Sequence, residues 1–322
     1  MTGSRTRVGI VNPLPSALAH YEAALETRLA RAGADVVRLP SVSIEGRGRG
    51  RAAAAVTSLV QRVRATEERV DRLLVTWPVF GHLDLFLRIR PRTHRLTVVM
   101  HDPEPLRPQF GTSRSASTVA RTWSGGGEWM VHSAGAAQAM QRRGLTSDTC
   151  LPLPMLEPSG QWRSGGTVLV LGQYKQARDL ELLRTLAPGL RRLGLRPVIR
   201  GRGWPLVEGW DVSAEYLSED AFDEAIVEAA CVLLPYRLLF QSDVATRAAE
   251  RGVPVVGPAS SNVPDLYGAS WPGAVPTGAT ASDWLSRSAA VSAWEPADVL
   301  RRAAQQFALG ESAWRSWLDS ER

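Results

Sequence analysis

The chain holds one lysine, Lys175, among 38 cationic residues; the other 37 are arginine. It sits in Gly172-Gln173-Tyr174-Lys175-Gln176-Ala177-Arg178-Asp179. That segment lies between the apolar run Val168-Leu169-Val170-Leu171 and a stretch from Leu180 where helical spacing begins. A cation on a strand-to-helix loop faces the carboxyl edge of a sheet, where α/β proteins bind phosphate-bearing ligands. Lysine offers three donors on a flexible stem and arginine a rigid planar fork, so the two are not interchangeable against a phosphate. The competing reading is a chance survivor on a solvated loop, and the lone lysine does not by itself choose.

Three further loops end expected strands. His101-Asp102-Pro103-Glu104-Pro105 places an imidazole beside carboxylates, with prolines that keep the segment out of a helix. In Arg200-Gly201-Arg202-Gly203-Trp204 the glycines allow close backbone approach and Arg200 and Arg202 can neutralise phosphate. Pro235 to Asp243 includes Tyr236, Gln241 and Ser242, and Ser242 is set to open a helix that closes at Gly252. A helix N-terminus presents free N–H groups and the positive end of its dipole, a seat for diphosphate. The Lys175, Arg200 and Pro235 loops on one edge of one expected sheet, with His101-Asp102 on the opposing one, point to a negatively charged ligand in the cleft between them.

Other chemistries are set aside. A Walker loop needs Gly-Lys-Ser/Thr, and the only lysine follows Tyr174. There is no His-Glu-x-x-His and no Gly-x-Ser-x-Gly, and the five histidines are scattered. The Gly/Arg alternation at 46–51 has the wrong glycine spacing for a nucleotide loop. Cys150 and Cys231 are distant, flank apolar residues and are expected in the core rather than in a disulfide or metal site.

Strand signals at 7–11, 36–39, 73–76, 96–100 and 129–132 alternate with helical spacing at 18–32, about 52–65 and before Gly144. After a Pro- and Gly-rich break at 151–167 the alternation restarts, with strands at 167–171, 196–200, 231–235 and 253–256 and helices near 179–193, 219–230 and 243–251. This pattern predicts parallel sheets of βαβ units in two domains, 1–157 and 158–322, with Trp284, Trp294, Trp314 and Trp317 on C-terminal helices that pack on the body, a return to the first domain being open to them.

Of the 322 residues, 44% are hydrophobic and 22% charged, as in globular proteins. No apolar run reaches transmembrane length, and the first residues lead straight into a strand, so a cytoplasmic protein is expected. Residues 1–157 carry 21 Arg and 13 acidic residues, net +8; residues 158–322 carry 17 cationic and 19 acidic, net −2. The excess suits a charged acceptor or peripheral contact with an anionic membrane, with Arg47, Arg49 and Arg51 crowding one loop. It is too diffuse, and too poor in interleaved aromatics, for a nucleic-acid partner.

From about residue 7 to residue 268 the order of motifs resembles a GT-B glycosyltransferase of the family 4 (group 1) kind. The matching pieces are Val75-Thr76-Trp77-Pro78, His101-Asp102, Val131-His132-Ser133, the 172–179 loop, Gly201-Arg202-Gly203, Leu233-Leu234-Pro235-Tyr236, Gln241-Ser242 and Ala249-Glu250-Arg251-Gly252-Val253-Pro254-Val255-Val256. The resemblance implies two Rossmann-like domains facing across a cleft and metal-independent sugar transfer from a nucleotide-diphosphate sugar to an acceptor hydroxyl, with no cofactor. It implies catalytic roles for His101, Asp102, Lys175 and Arg178. Donor contacts would come from Gly172, Gln173, Arg200, Arg202, Tyr216, Leu217, Tyr236, Gln241, Ser242 and Asp243, and acceptor contacts from Asn12 and Trp77. Two departures stand out. Counting back from Gly252, the family's usual glutamate pair is replaced by Leu239 and Arg247, and its glycine pair after the first strand by Asn12-Pro13-Leu14-Pro15. A sugar-nucleotide epimerase of the same fold and a non-catalytic sugar-nucleotide-binding module are the alternatives.

Overall fold

The computed structural model describes residues 5–39, 53, 56, 57, 59, 60, 63, 69–87, 95–104, 111–122 and 127–320. Arg47, Arg49 and Arg51 lie outside the described residues. The chain forms two compact units: Met1–Pro154 with Gly310–Arg322, and Met155–Leu309.

In the first unit six strands are all parallel: β1 (Arg7–Val11), β2 (Asp35–Arg38), β3 (Arg72–Val75), β4 (Arg95–Val99), β5 (Glu128–Val131) and β6 (Thr149–Cys150). Their order is β2-β1-β3-β4-β5-β6. The central strands are apolar at successive positions because a parallel sheet covered on both faces leaves neither face to water; Val8, Ile10, Leu74, Val98 and Val99 are fully buried. Helices α1 (Ala19–Arg31), α2 (Arg114–Thr122) and α3 (Ala134–Arg142) follow strands, and Ser133 caps α3 by accepting from the Ala136 N–H. The two-residue strand β6 was not expected. Because it forms the sheet edge, Cys150 is exposed rather than in the core, whereas Cys231 is buried as expected.

The C-terminal tail returns to the first unit, as its Trp-rich sequence allows. Helix α9 (Pro296–Asp319) belongs to the second unit as far as Leu309 and to the first from Gly310. The unit boundary also falls at 154/155, ahead of the expected 157/158. Trp314 and Trp317 are buried among Tyr21, Leu25 and Leu29, and the Trp314 indole donates to the Pro152 carbonyl at 3.0 Å. The guanidinium of Arg72 lies 4.4 Å over the Trp317 ring. The large apolar area of these indoles assigns the tail to the first unit's core.

The second unit repeats the plan with β7 (Thr167–Leu171), β8 (Arg196–Arg200), β9 (Asp211–Ser213), β10 (Ala229–Leu233), β11 (Val255–Pro258) and β12 (Ala274–Val275), ordered β12-β11-β10-β7-β8-β9 and all parallel. Its helices are α4 (Leu180–Arg192), α5 (Glu219–Val227), α6 (Asp243–Glu250), α7 (Val263–Tyr267), α8 (Ala281–Ser292) and most of α9. Ser218 caps α5 as its sequence suggests, but the helix stops at Val227, before 230, because Ala229 already begins a buried strand. In each sheet the first strand of the unit has neighbours on both sides that follow it in sequence. The crevice beside it, at the carboxyl ends of the strands, is where an open α/β sheet binds ligands.

Candidate functional site

In the second unit the sheet order makes β10, β7 and β8 adjacent, so three of the loops singled out from sequence share one edge. They are tied together by backbone. Gly172 N–H donates to the Arg200 carbonyl and Tyr174 N–H to the Arg202 carbonyl, both at 3.0 Å. On the other side Asp179 N–H donates to the Pro235 carbonyl at 2.7 Å and Arg237 N–H to the Ala177 carbonyl at 2.9 Å. Asp179 also caps α4 through the Leu182 N–H and pairs with the Arg237 side chain at 3.1 Å. Gly201, at φ 134°, must be glycine, since a Cβ there would lie 2.4 Å from the Gly172 carbonyl oxygen.

Arg178 is the centre of this arrangement. It is only 4% exposed, and its guanidinium lies 4.7 Å from the centre of the Trp204 ring and 4.8 Å from that of Tyr236. Its Nη2 donates to the Leu171 carbonyl at 2.7 Å, while Nε and Nη1 have no hydrogen-bond partner. Burial lowers its affinity for the proton, an effect opposed by the Tyr236 phenol. A buried guanidinium with two unmet donors is costly unless an anion meets them.

A Cβ on Gly172 would lie 3.3 Å from Arg178 Nη2 and 3.7 Å from the side chain of Val244, in the first turn of α6. The guanidinium and the N-terminus of α6 therefore meet at one glycine. Ser242 caps that helix, its Oγ accepting from the Ala245 N–H. Its own N–H is taken by Asn262 Oδ1 at 3.0 Å, and Asn262 Nδ2 donates to Thr246 Oγ1. Asn262 is fully buried and was missed from sequence, where nothing marks it in the turn before Pro264.

Gln173, Lys175, Arg202, Asp243 and Tyr216 are exposed, and Leu217 and Gln241 are half-buried. Arg200 does not match expectation. Residues 196, 198 and 200 share one face of β8, so Arg200 points over the sheet, where it donates to the Asp211 carboxylate at 3.0 Å and lines a cavity of about 460 Å³ with Leu169 and Val198. Its guanidinium is paired away from the phosphate loops.

In the first unit Asn12, Trp77, His101 and His132 follow β1, β3, β4 and β5. Two of the histidines, separate in sequence, meet here: the His101 and His132 rings are 5.8 Å apart, with Tyr21 against both. His101 Nε2 donates to the Thr76 carbonyl at 2.7 Å, and its ring stacks on Trp77 at 5.3 Å. His132 Nδ1 donates to the Leu151 carbonyl at 2.9 Å, which makes Nε2 the acceptor of the Tyr21 hydroxyl at 2.8 Å. Burial pushes His101 down to about 3, helped by His132 and opposed by the Thr76 carbonyl, and pushes His132 down to about 4. Both rings are neutral at pH 7. Asn12 spends its amide locally, accepting from Leu14 N–H and Thr76 Oγ1 and donating to Glu22 at 2.8 Å. Asp102 is exposed beside the buried His101.

No protein-family model matches the chain, and no curated protein does. Solved structures do. An α,α-trehalose-phosphate synthase (UDP-forming) from Burkholderia vietnamiensis superposes with a TM-score of 0.63 at 10% identity, covering 99% of this chain and 97% of that one. Sucrose-phosphate synthase from Thermosynechococcus elongatus gives 0.60 at 14%, covering 98% and 96%. S. aureus TarM gives 0.59 at 11% over 80% of this chain, which spans 57% of TarM.

The fold is GT-B. Each unit is one of its Rossmann-like domains, and likeness at this identity concerns fold alone. The resemblance places glutamates at 239 and 247. In this GT-B chain Leu239 is half-buried against the core of the second unit. Arg247 is buried, its Nε on Asp223 at 2.9 Å and Nη1 on Glu219 at 2.7 Å, with the guanidinium 4.5 Å over Phe222. It joins α6 to α5. Glu250 is also turned inward, accepting from the Leu156 N–H at 2.7 Å.

Proposed function

We propose that this chain is a glycosyltransferase that moves a sugar from a nucleotide-diphosphate sugar to an acceptor hydroxyl. The observation that carries this reading is the buried Arg178 guanidinium, its Nε and Nη1 without a hydrogen-bond partner, beside Gly172 and the first turn of α6. In the proposed reaction the acceptor oxygen bonds to the anomeric carbon as the bond from that carbon to the diphosphate oxygen breaks. The nucleoside diphosphate leaves with the electron pair. Arg178, Lys175 and the α6 N-terminus would stabilise the negative charge as it develops, the role a divalent cation plays elsewhere, so metal-independent transfer is proposed. The solved structures of like fold include enzymes named as UDP-forming synthases, which supports a nucleotide-sugar donor.

The second unit would hold the donor, with Tyr216 and Leu217 near the base, and the first unit the acceptor, near Asn12 and Trp77. His101 and Asp102 would lie near the transferred sugar. Asp102 is the candidate to take the acceptor's proton if the anomeric centre inverts. His101, buried and hydrogen-bonded to Thr76, would shape the site rather than carry a proton. Contact with an anionic membrane surface is proposed only for the basic first half.

The second reading is a binding module without turnover, favoured by Arg247, which stands where the resemblance expects a sugar-contacting glutamate and is consumed by Asp223 and Glu219. A thermal-shift panel of nucleotide sugars identifies the donor, since binding raises apparent stability. Release of free nucleoside diphosphate that depends on an acceptor then supports transfer. Stabilisation without release under any acceptor supports the module, and no stabilisation by any nucleotide sugar overturns both.

A further inference from the structure

We infer that Trp204 is a positioning residue for the proposed diphosphate site, acting on Arg178 and on the loop that follows β7. The inference rests on the functional reading above. Two contacts from one side chain carry it. The indole ring centre lies 4.7 Å from the Arg178 guanidinium, as that of Tyr236 lies 4.8 Å from it, and the indole Nε1 donates to the Gly172 carbonyl at 2.8 Å. Gly172 is the residue at which Arg178 and Val244 converge. Trp204 therefore fixes both the cation and the backbone beside it.

The arrangement has a chemical reason. The Trp204 and Tyr236 rings, 4.7 and 4.8 Å from the guanidinium carbon, hold Arg178 in place with its Nε and Nη1 unspent on the protein. An ammonium offers no planar fork for the indole to orient. Trp204 is itself 5% exposed and is steadied by Tyr174, whose ring centre is 5.3 Å away. The loop that carries it cannot drift, because Gly201 is packed against the Gly172 carbonyl. Nothing in the sequence distinguishes Trp204 from the other ten tryptophans, most of which fill cores.

The test is a double-mutant cycle read by binding of UDP, ADP and GDP, each beside its monophosphate. Trp204→Phe keeps a ring and removes the N–H. It should weaken the preferred diphosphate by about threefold to tenfold, the range for one lost hydrogen bond, with monophosphate affinity much less affected. Trp204→Leu removes the ring as well, and in an Arg178→Met background the further loss from Trp204→Phe to Trp204→Leu should vanish, while the N–H effect persists. A ring effect that is additive with Arg178→Met, or equal losses for mono- and diphosphate, would show that Trp204 only supports the fold and would overturn the inference.

Should Trp204→Phe fail to fold, Arg178→Lys in the otherwise intact chain decides. Diphosphate affinity should fall nearly as far as in Arg178→Met, and wild-type affinity in the lysine variant would overturn the inference that Trp204 acts by orienting a guanidinium. Failure of the wild-type chain to bind any nucleoside diphosphate would instead refute the functional reading, a separate outcome.

Discussion

Two cations seven residues or fewer from β7 take opposite environments, and their variants should behave differently. Lys175 is exposed, so Lys175→Ala should leave the melting temperature nearly unchanged. If it meets the diphosphate, the variant should lose about 2–4 kcal/mol of transition-state stabilisation in kcat/KM, the range for removing a preorganised charge-stabilising donor. Lys175→Arg keeps the charge and changes its shape, and a matching loss there would explain the lone lysine. Wild-type kinetics in both variants would remove Lys175 from the site. Asp102→Asn belongs to the same scale: for an inverting enzyme kcat should collapse while donor binding persists, and an unchanged kcat would exclude Asp102 as the base.

At the level of elements, the decisive features are loop pairs and the end of α9. Gly201→Ala should force the Gly172 carbonyl aside, because the added Cβ would sit 2.4 Å from it at a positive φ. Diphosphate affinity should drop sharply, with about 1–3 kcal/mol of stability lost to backbone strain. An unchanged binding isotherm would show that the two loops are not coupled. Trp314→Ala should cost about 3–5 kcal/mol, the range for deleting a buried aromatic side chain, and lower the melting temperature of the first unit. A wild-type urea midpoint would contradict the placement of the tail in that core. The order of elements was legible from strand and helix periodicity. Strands β6, β9 and β12 and the short helix α7 were not, because two- and three-residue strands and a five-residue helix carry too little periodicity to read.

Over the whole molecule, acid stability should reflect its buried histidines. His101, His132 and His82 bind protons only near pH 3–4 when folded, burial being the largest cause in each. In the unfolded chain they titrate at about 6.5. The unfolded state therefore takes up more protons across that window, and stability is lost as pH falls through it. Asp84 works the other way. Burial raises it to about 7 against the backbone donors of Val79 and Phe80, so the folded state holds the extra proton and its contribution is lost as pH rises toward 7. Asp265, raised by burial to about 6, acts as Asp84 does. With three histidines against two aspartates, the melting temperature should fall from pH 6.5 to 4.5, and His132→Gln should flatten that slope. A level profile in the unsubstituted chain would show that the rings are not neutral and buried. The +8 charge of residues 1–157 belongs to this scale too. If the first half meets anionic surfaces, co-sedimentation with anionic vesicles should weaken with salt and with Arg47, Arg49 and Arg51 changed to Ser, whereas equal pelleting with neutral vesicles would favour a charged acceptor.

The sequence by itself determined the two-unit α/β plan, because helical and strand periodicities and the Pro/Gly break at 151–167 are local properties of the chain. It also marked the three phosphate-type loops, since a cation or a Ser cap after an apolar run is visible without a fold. Only the tertiary structure decided what each side chain does there. Strand alternation turned Arg200 onto Asp211, and two rings from distant loops closed over Arg178. The partners of Arg247 lie on another helix, and His101 and His132 meet only because β4 and β5 are neighbours in the sheet. Orientation and partnership depend on residues far apart in sequence, and the chain's local pattern holds no record of them.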